Sequence, residues 1–188
     1  MRVRTMHARP VPLAVLAVAT ALVSSLAACQ GGSGPASDGP LSSGSGIHAP
    51  IPKGSICTPD SGPQTSGFQV FTNYGKTTVV LDRVALLHPR NQRLLGAYAV
   101  PAGDFLVGNP HGWPPRETPL PSTWRHRQPV HGFQLAPGKT FNMVLGVAPV
   151  STGRSTSQGI LVYYHDSSGT YVSKNFWAEI IAGNPHGC

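Results

Sequence analysis

"LAPGKTFNMVLGVA", at positions 135–148, is the stretch whose reading decides the fold. Pro137 and Gly138 mark a turn, and from there the side chains alternate. Phe141, Met143, Leu145 and Val147 fall on one face, and Asn142, Val144, Gly146 and Ala148 on the other. A period of two belongs to a strand with one face on a core and excludes an amphipathic helix. "TTVVLDRVALL" at 77–87 reads the same way, with Val79, Leu81, Ala85 and Leu87 on one face and Asp82-Arg83 as a bulge or exposed strand end. Further strands are expected at 67–73, 93–100, 130–135, 157–165 and 170–182, separated by "NYGK", "LAPGKT" and "HDSSGT", which carry turn chemistry. About seven strands without an amphipathic helix predict an all-β, antiparallel sandwich.

The phrase LxPGxTFxMxLxV within 135–147 resembles the turn-and-strand segment of immunoglobulin-like sandwiches in bacterial surface proteins. The resemblance implies an immunoglobulin-like β-sandwich whose first and last strands lie at neighbouring edges.

The N-terminal segment reads as an export signal. Arg2, Arg4 and Arg9 precede an uncharged apolar run over 11–28, which closes on "LAAC" at Leu26, Ala27, Ala28 and Cys29. This resembles the lipobox of bacterial lipoproteins. It implies removal of 1–28, a diacylglycerol and palmitate-type lipid on Cys29, and a place on the extracytoplasmic face of the bacterial membrane. The residues that follow Cys29 are rich in Gly, Ser and Pro and bury little, so 29–52 is expected to be a lipidated cysteine with a flexible tether of roughly 80 Å extended reach. The folded domain is expected at 53–188.

Lipidation of Cys29 leaves Cys57 and Cys188. In an oxidising compartment these most simply close into a disulfide. Two free thiols serving a metal or redox role are the alternative.

Past residue 28, eleven Lys and Arg face seven Asp and Glu, a net charge of about +4 that lacks the clustered stripe of a nucleic-acid binder. No nucleic-acid partner is expected. One segment departs from the strand pattern: "PAGDFLVGNPHGWPPRETPLPSTWRHRQP" at 101–129 holds seven prolines and two tryptophans. Proline at this density excludes a central strand, although a short edge strand at 104–107 would fit. Two readings stay open for the loop. Trp113 and Trp124, with Arg116, Arg125 and Arg127, form a recognition surface for an envelope protein or wall glycan, or the indoles cover the sandwich.

"GNPHG" occurs twice, at 108–112 and 183–187. Asn-Pro-x-Gly suits a type I turn, so both copies read as turns. The alternative is a copper or zinc site on His111 and His186. Met143, the one methionine past the signal, falls on the apolar face and reads as core. No Gly-x-Ser-x-Gly elbow occurs, and no carboxylate pair can be nominated from spacing. The expectation is a non-catalytic binding or scaffold module without a cofactor, with an extracytoplasmic copper or zinc binder as alternative; the sequence does not indicate an oligomeric state.

Overall fold

The computed structural model describes residues 39–48, 50–51, 53–103, 107–115, 120, 122–184 and 186–188. The expected signal segment, Cys29, Arg116 and positions 104–106 of the expected edge strand lie outside the described residues.

The chain forms β1 (Leu41–Ser42), β2 (Lys53–Thr58), β3 (Gln64–Asn73), β4 (Val79–Leu86), β5 (Gln92–Pro101), a 3-10 turn η1 (Ser122–His126), β6 (Gln128–Pro129), β7 (Gln134–Leu135), β8 (Thr140–Pro149), β9 (Ser155–Ser157), β10 (Ile160–His165) and β11 (Thr170–Ile181). Sheet 1 runs β1-β3-β8-β5-β6, and sheet 2 runs β2-β11-β10-β4-β7, with β9 also on β11. The order β1-β3-β8-β5 against β4-β10-β11 is that of the two sheets of an immunoglobulin-like sandwich. Seven strands have six residues or more, and all their pairings are antiparallel except β2 on β11, which is parallel. The N-terminal segment therefore switches sheets: its first part, β1, pairs with β3, and its second, β2, pairs with β11.

The core lies between the sheets, where Phe71, Phe141, Met143 and Leu145 of sheet 1 meet Leu81, Ile160, Val162 and Tyr164 of sheet 2. In β4 the inward set changes parity. Asp82 is bulged, because Tyr163 pairs with Arg83 while Tyr164 pairs with Leu81. The bulge sends Val84 and Leu86 to the core in place of the expected Ala85 and Leu87.

Two expectations change at the edges. The strand expected at 130–135 shrinks to Gln134–Leu135, since Gly132 takes φ 80° and breaks the extended run. The tether, expected to be free as far as 52, is docked from Gly39. Leu41 is 3% exposed, its N–H donates to the Tyr164 hydroxyl at 3.0 Å, and the Tyr74 hydroxyl donates to the Gly44 carbonyl at 2.9 Å. Leu41 is the first large apolar residue after the expected signal, and its burial outweighs the entropy of fixing a few residues. Gly39 sits where a side chain would overlap Tyr164 and Tyr171.

The disulfide between Cys57 and Cys188 is present, with Cα atoms 5.7 Å apart. It ties β2 to the end of the chain after β11. Ala182 N–H to Thr58 carbonyl (2.8 Å) and Gly183 N–H to Asp60 carbonyl (3.2 Å) continue that pairing.

Candidate functional site

The Pro-rich loop lies on the outer face of sheet 1. Its first "GNPHG" copy is not the expected turn. Gly67 N–H donates to Gly108 carbonyl (2.7 Å), Thr65 N–H to Pro110 carbonyl (3.2 Å) and Gly112 N–H to Pro63 carbonyl (3.1 Å). β1 covers only the last residues of β3, so the first half of β3 presents an open edge. The loop pairs with it and is drawn out to extended form. The second copy does turn: Gly187 N–H donates to Asn184 carbonyl at 3.2 Å, and His186 N–H to the Asn184 side chain at 3.0 Å.

Beyond His111 the loop lays Trp113 over Gly146 of β8 and Gly96 of β5. Trp124, on η1, is 8% exposed and packs with Val100, Val107 and Val144, flanked by Tyr98, Trp113 and Leu120. Tyr98 stands between the indoles, 5.6 Å from each. This second apolar cluster explains why Asn142, Val144, Gly146 and Ala148, on the strand face opposite Phe141 and Met143, are buried as fully as their neighbours. Of the five residues proposed for recognition, Trp124 is packed away, Trp113 is half-buried, and Arg125 and Arg127 are exposed. The Arg127 guanidinium lies 4.7 Å from the Trp124 ring centre and donates to the Trp124 carbonyl at 3.2 Å.

The outer face of sheet 2 has no such cover among the described residues. β10 alternates strictly, with Ile160, Val162 and Tyr164 in the core and Leu161, Tyr163 and His165 outward. On β11 the outward set is Val172, Lys174, Phe176, Ala178 and Ile180. Register places Leu161 between Ala85 and Lys174, and Tyr163 between Arg83 and Val172. A solvated antiparallel face normally alternates to polar residues. Here it is mainly apolar, and the large side chains are half-buried among themselves. Arg83 lies 3.5 Å over the Tyr163 ring, and Lys53 stands 5.9 Å from the Phe176 ring centre. No described Lys or Arg pairs with a described carboxylate; the ion pairs found are His111 with Asp60 (2.6 Å) and His165 with Asp82 (2.8 Å).

His111 and His186 occupy different surroundings. The former holds Asp60 through Nδ1, and the latter is exposed in its turn. Among the described residues no three His, Cys, Asp or Glu side chains gather in a way that would hold a metal ion. Met143 is fully buried in the core.

The feature missed by sequence reasoning is inside. Glu179 of β11 is 3% exposed and bonded across the sandwich to β3, accepting from the Ser66 hydroxyl and from Gln69 Nε2 at 2.8 Å. Burial pushes its carboxyl up to about 7, and the hydrogen bonds from Ser66 and Gln69 offset part of that rise. Beside it and in successive layers toward the end of the sandwich where β11 finishes lie Ser157, Ser155, Gln64 and Gln92, all buried, with five side-chain atoms that find no partner: Gln64 Oε1, both polar atoms of Gln92, and the two Ser hydroxyls. A dry orphaned atom costs about 1–3 kcal/mol, so five would offset much of the 5–15 kcal/mol that stabilises a typical domain. The available signal was parity: Glu179 shares its strand face with Ile181.

No protein-family model and no curated protein matches the chain. The solved structures that resemble it distantly include these three. The Vibrio cholerae VesB protease is 10% identical over 69% of this chain and 30% of its own, with a TM-score of 0.37. The ASH/PapD-like domain 7 of human CEP192 is 12% identical over 91% of this chain and 96% of its own, with a TM-score of 0.34. The secreted serine protease VesC of Vibrio cholerae is 11% identical over 66% and 21%, with a TM-score of 0.30. The chain thus spans less than a third of either protease, and scores this low carry no argument about activity; the fold assignment rests on the strand order itself.

Proposed function

We propose that this protein is a lipid-anchored, non-catalytic binding or scaffold module on the extracytoplasmic face of a bacterial membrane, with the outer face of sheet 2 as its docking surface. The observation that carries the reading is the asymmetry of the two outer faces. One is sealed by a loop that inserts two indoles, and the other is left open although its residues are apolar. A contiguous exposed apolar surface marks an interaction site. Its residues do not protrude: of the large apolar side chains most exposed among the described residues, Phe68, Tyr74, Leu95 and Val150 lie elsewhere, and Ile47 stands at its border, in a cleft it shares with Val172 and Lys174. A flat surface of this kind suits another protein better than insertion into a bilayer. Arg83, Lys53 and Lys174 ask that the partner be acidic at its rim. A photo-crosslinking residue placed at Leu161 or at Arg125 in cells tests the assignment. An adduct at 161 that Tyr163→Glu abolishes is expected; an adduct at 125 alone moves the site to the Pro-rich loop, and none at either position refutes a docking role.

A further inference from the structure

The polar residues around Glu179 are arranged in layers. In one layer, Glu179 of β11 is the cross-strand partner of Ser157 of β9 and bonds to Ser66 of β3. One step toward the end of the sandwich where β11 finishes, Ser155 pairs with Ile181, while Gln64 and Leu94 flank Val147. One step further, Gln92 is beside Pro149. Pro149 lines a surface cleft of about 400 Å³ with Ser61, Val150, Ser151, Thr152, Gly153 and Gly183. Buried polar side chains on facing strands are therefore stacked, layer by layer, between the level of Pro149 and a buried carboxyl.

We infer that this column is a binding site for a monovalent hard cation, sodium or potassium, held at the carboxylate of Glu179 with the hydroxyls of Ser157 and Ser155 and the side-chain oxygen of Gln64. Three observations lead there. Four of the five orphaned atoms are oxygens, and oxygen without imidazole or thiolate selects hard cations over zinc or copper. Glu179 is the one acidic group among the buried residues described, so one positive charge leaves the interior neutral whereas a divalent ion would bury a net charge. The raised proton affinity of Glu179 is the third: a carboxylate with no cationic side chain beside it takes up a proton or an external cation, and the orphaned oxygens favour the latter above neutral pH.

The test is thermal melting of the full chain in detergent at pH 8, in choline chloride and in sodium, potassium or calcium chloride at matched ionic strength, for the native protein, Glu179→Gln and Ser157→Ala. Sodium or potassium is expected to raise the melting temperature saturably by about 2–4 °C over choline. Glu179→Gln should lose that gain and Ser157→Ala should shift it to higher salt. Equal melting in choline and sodium or potassium would mean that the column holds water alone, and the same gain in Glu179→Gln would place any ion elsewhere. Stabilisation by calcium only would overturn the assignment of charge. Sodium NMR line broadening, reversed by potassium and absent in Glu179→Gln, gives a second reading independent of stability.

Discussion

The indole of Trp113 lies flat on Gly146, close enough that a methyl group at 146 would overlap the ring. The sealed face of sheet 1 depends on that missing side chain. Gly146→Ala is expected to destabilise by about 1–3 kcal/mol through overpacking. Because the clash is with one partner, Gly146→Ala combined with Trp113→Ala should cost little more than Trp113→Ala alone. Urea denaturation of the three variants checks this, and strict additivity would show that the indole is not what the methyl meets.

Trp124 and Arg127 separate packing from contact. Trp124→Ala should cost about 3–5 kcal/mol, as for a buried aromatic. Arg127→Ala, which removes a surface cation stacked on that ring, should cost about 1 kcal/mol or less. A mild Trp124→Ala would mean that the loop contributes little to the fold, and would return its indoles to the recognition reading.

The Cys57–Cys188 bridge closes nearly the whole domain. Reduction should lower stability by about 2–5 kcal/mol, read as a shift of the urea midpoint with and without reductant. Alkylation of the denatured, unreduced protein should leave both cysteines unmodified.

Glu179 sets a dependence on pH. In the unfolded chain its carboxyl releases a proton near 4.5, and in the fold burial raises it to about 7. The stability this contributes is present in full below about 4.5 and is lost as pH rises through about 7, a span worth roughly 3 kcal/mol. Asp166 acts in the opposite sense in another window. Burial is the largest single influence and raises its carboxyl, but the hydrogen bonds from Ser168, Thr77 and Gly169 together outweigh it and bring the carboxyl below its ordinary 3.8, so its contribution is present above that value and is lost as pH falls below it. Melting curves from pH 5 to 8 in choline buffer should fall for the native protein and stay nearly level for Glu179→Gln; parallel curves would show that another group carries the slope.

Lipid attachment is checked by feeding cells a fatty-acid analogue. The label should mark the protein and vanish in Cys29→Ala.

Much of the sandwich was legible because period-two alternation is a direct imprint of a half-buried sheet. β8, β10 and β11 were each read within three residues of their ends, and the Asp82 bulge was visible as a polar pair in an apolar run. The parity change after the bulge was not, because it depends on where the extra residue is absorbed. β2, "KGSICT", carries no alternation, since as a parallel edge strand it is ordered by pairing with β11 rather than by its own pattern. The first "GNPHG" copy deceived for a related reason: turn chemistry is local, and an open sheet edge overrode it. The open face of sheet 2 was written in "ILVYYH", where both parities are largely apolar. That signal says only that both faces avoid water, and which one stays open depends on where a distant loop comes to rest.

The docking of Leu41 beside Tyr164 shortens the leash. Were the tether free to residue 52, a lipid on Cys29 would let the domain roam as far as roughly 80 Å from its anchor. With β1 clamped to β3, only ten peptide units separate Cys29 from Gly39, and their full stretch is about 35 Å. Under the proposed anchorage the domain cannot leave the lipid by more than that stretch. A partner for the open face of sheet 2 must then be met within reach of that short leash, which membrane-embedded neighbours satisfy and targets deep in the envelope do not.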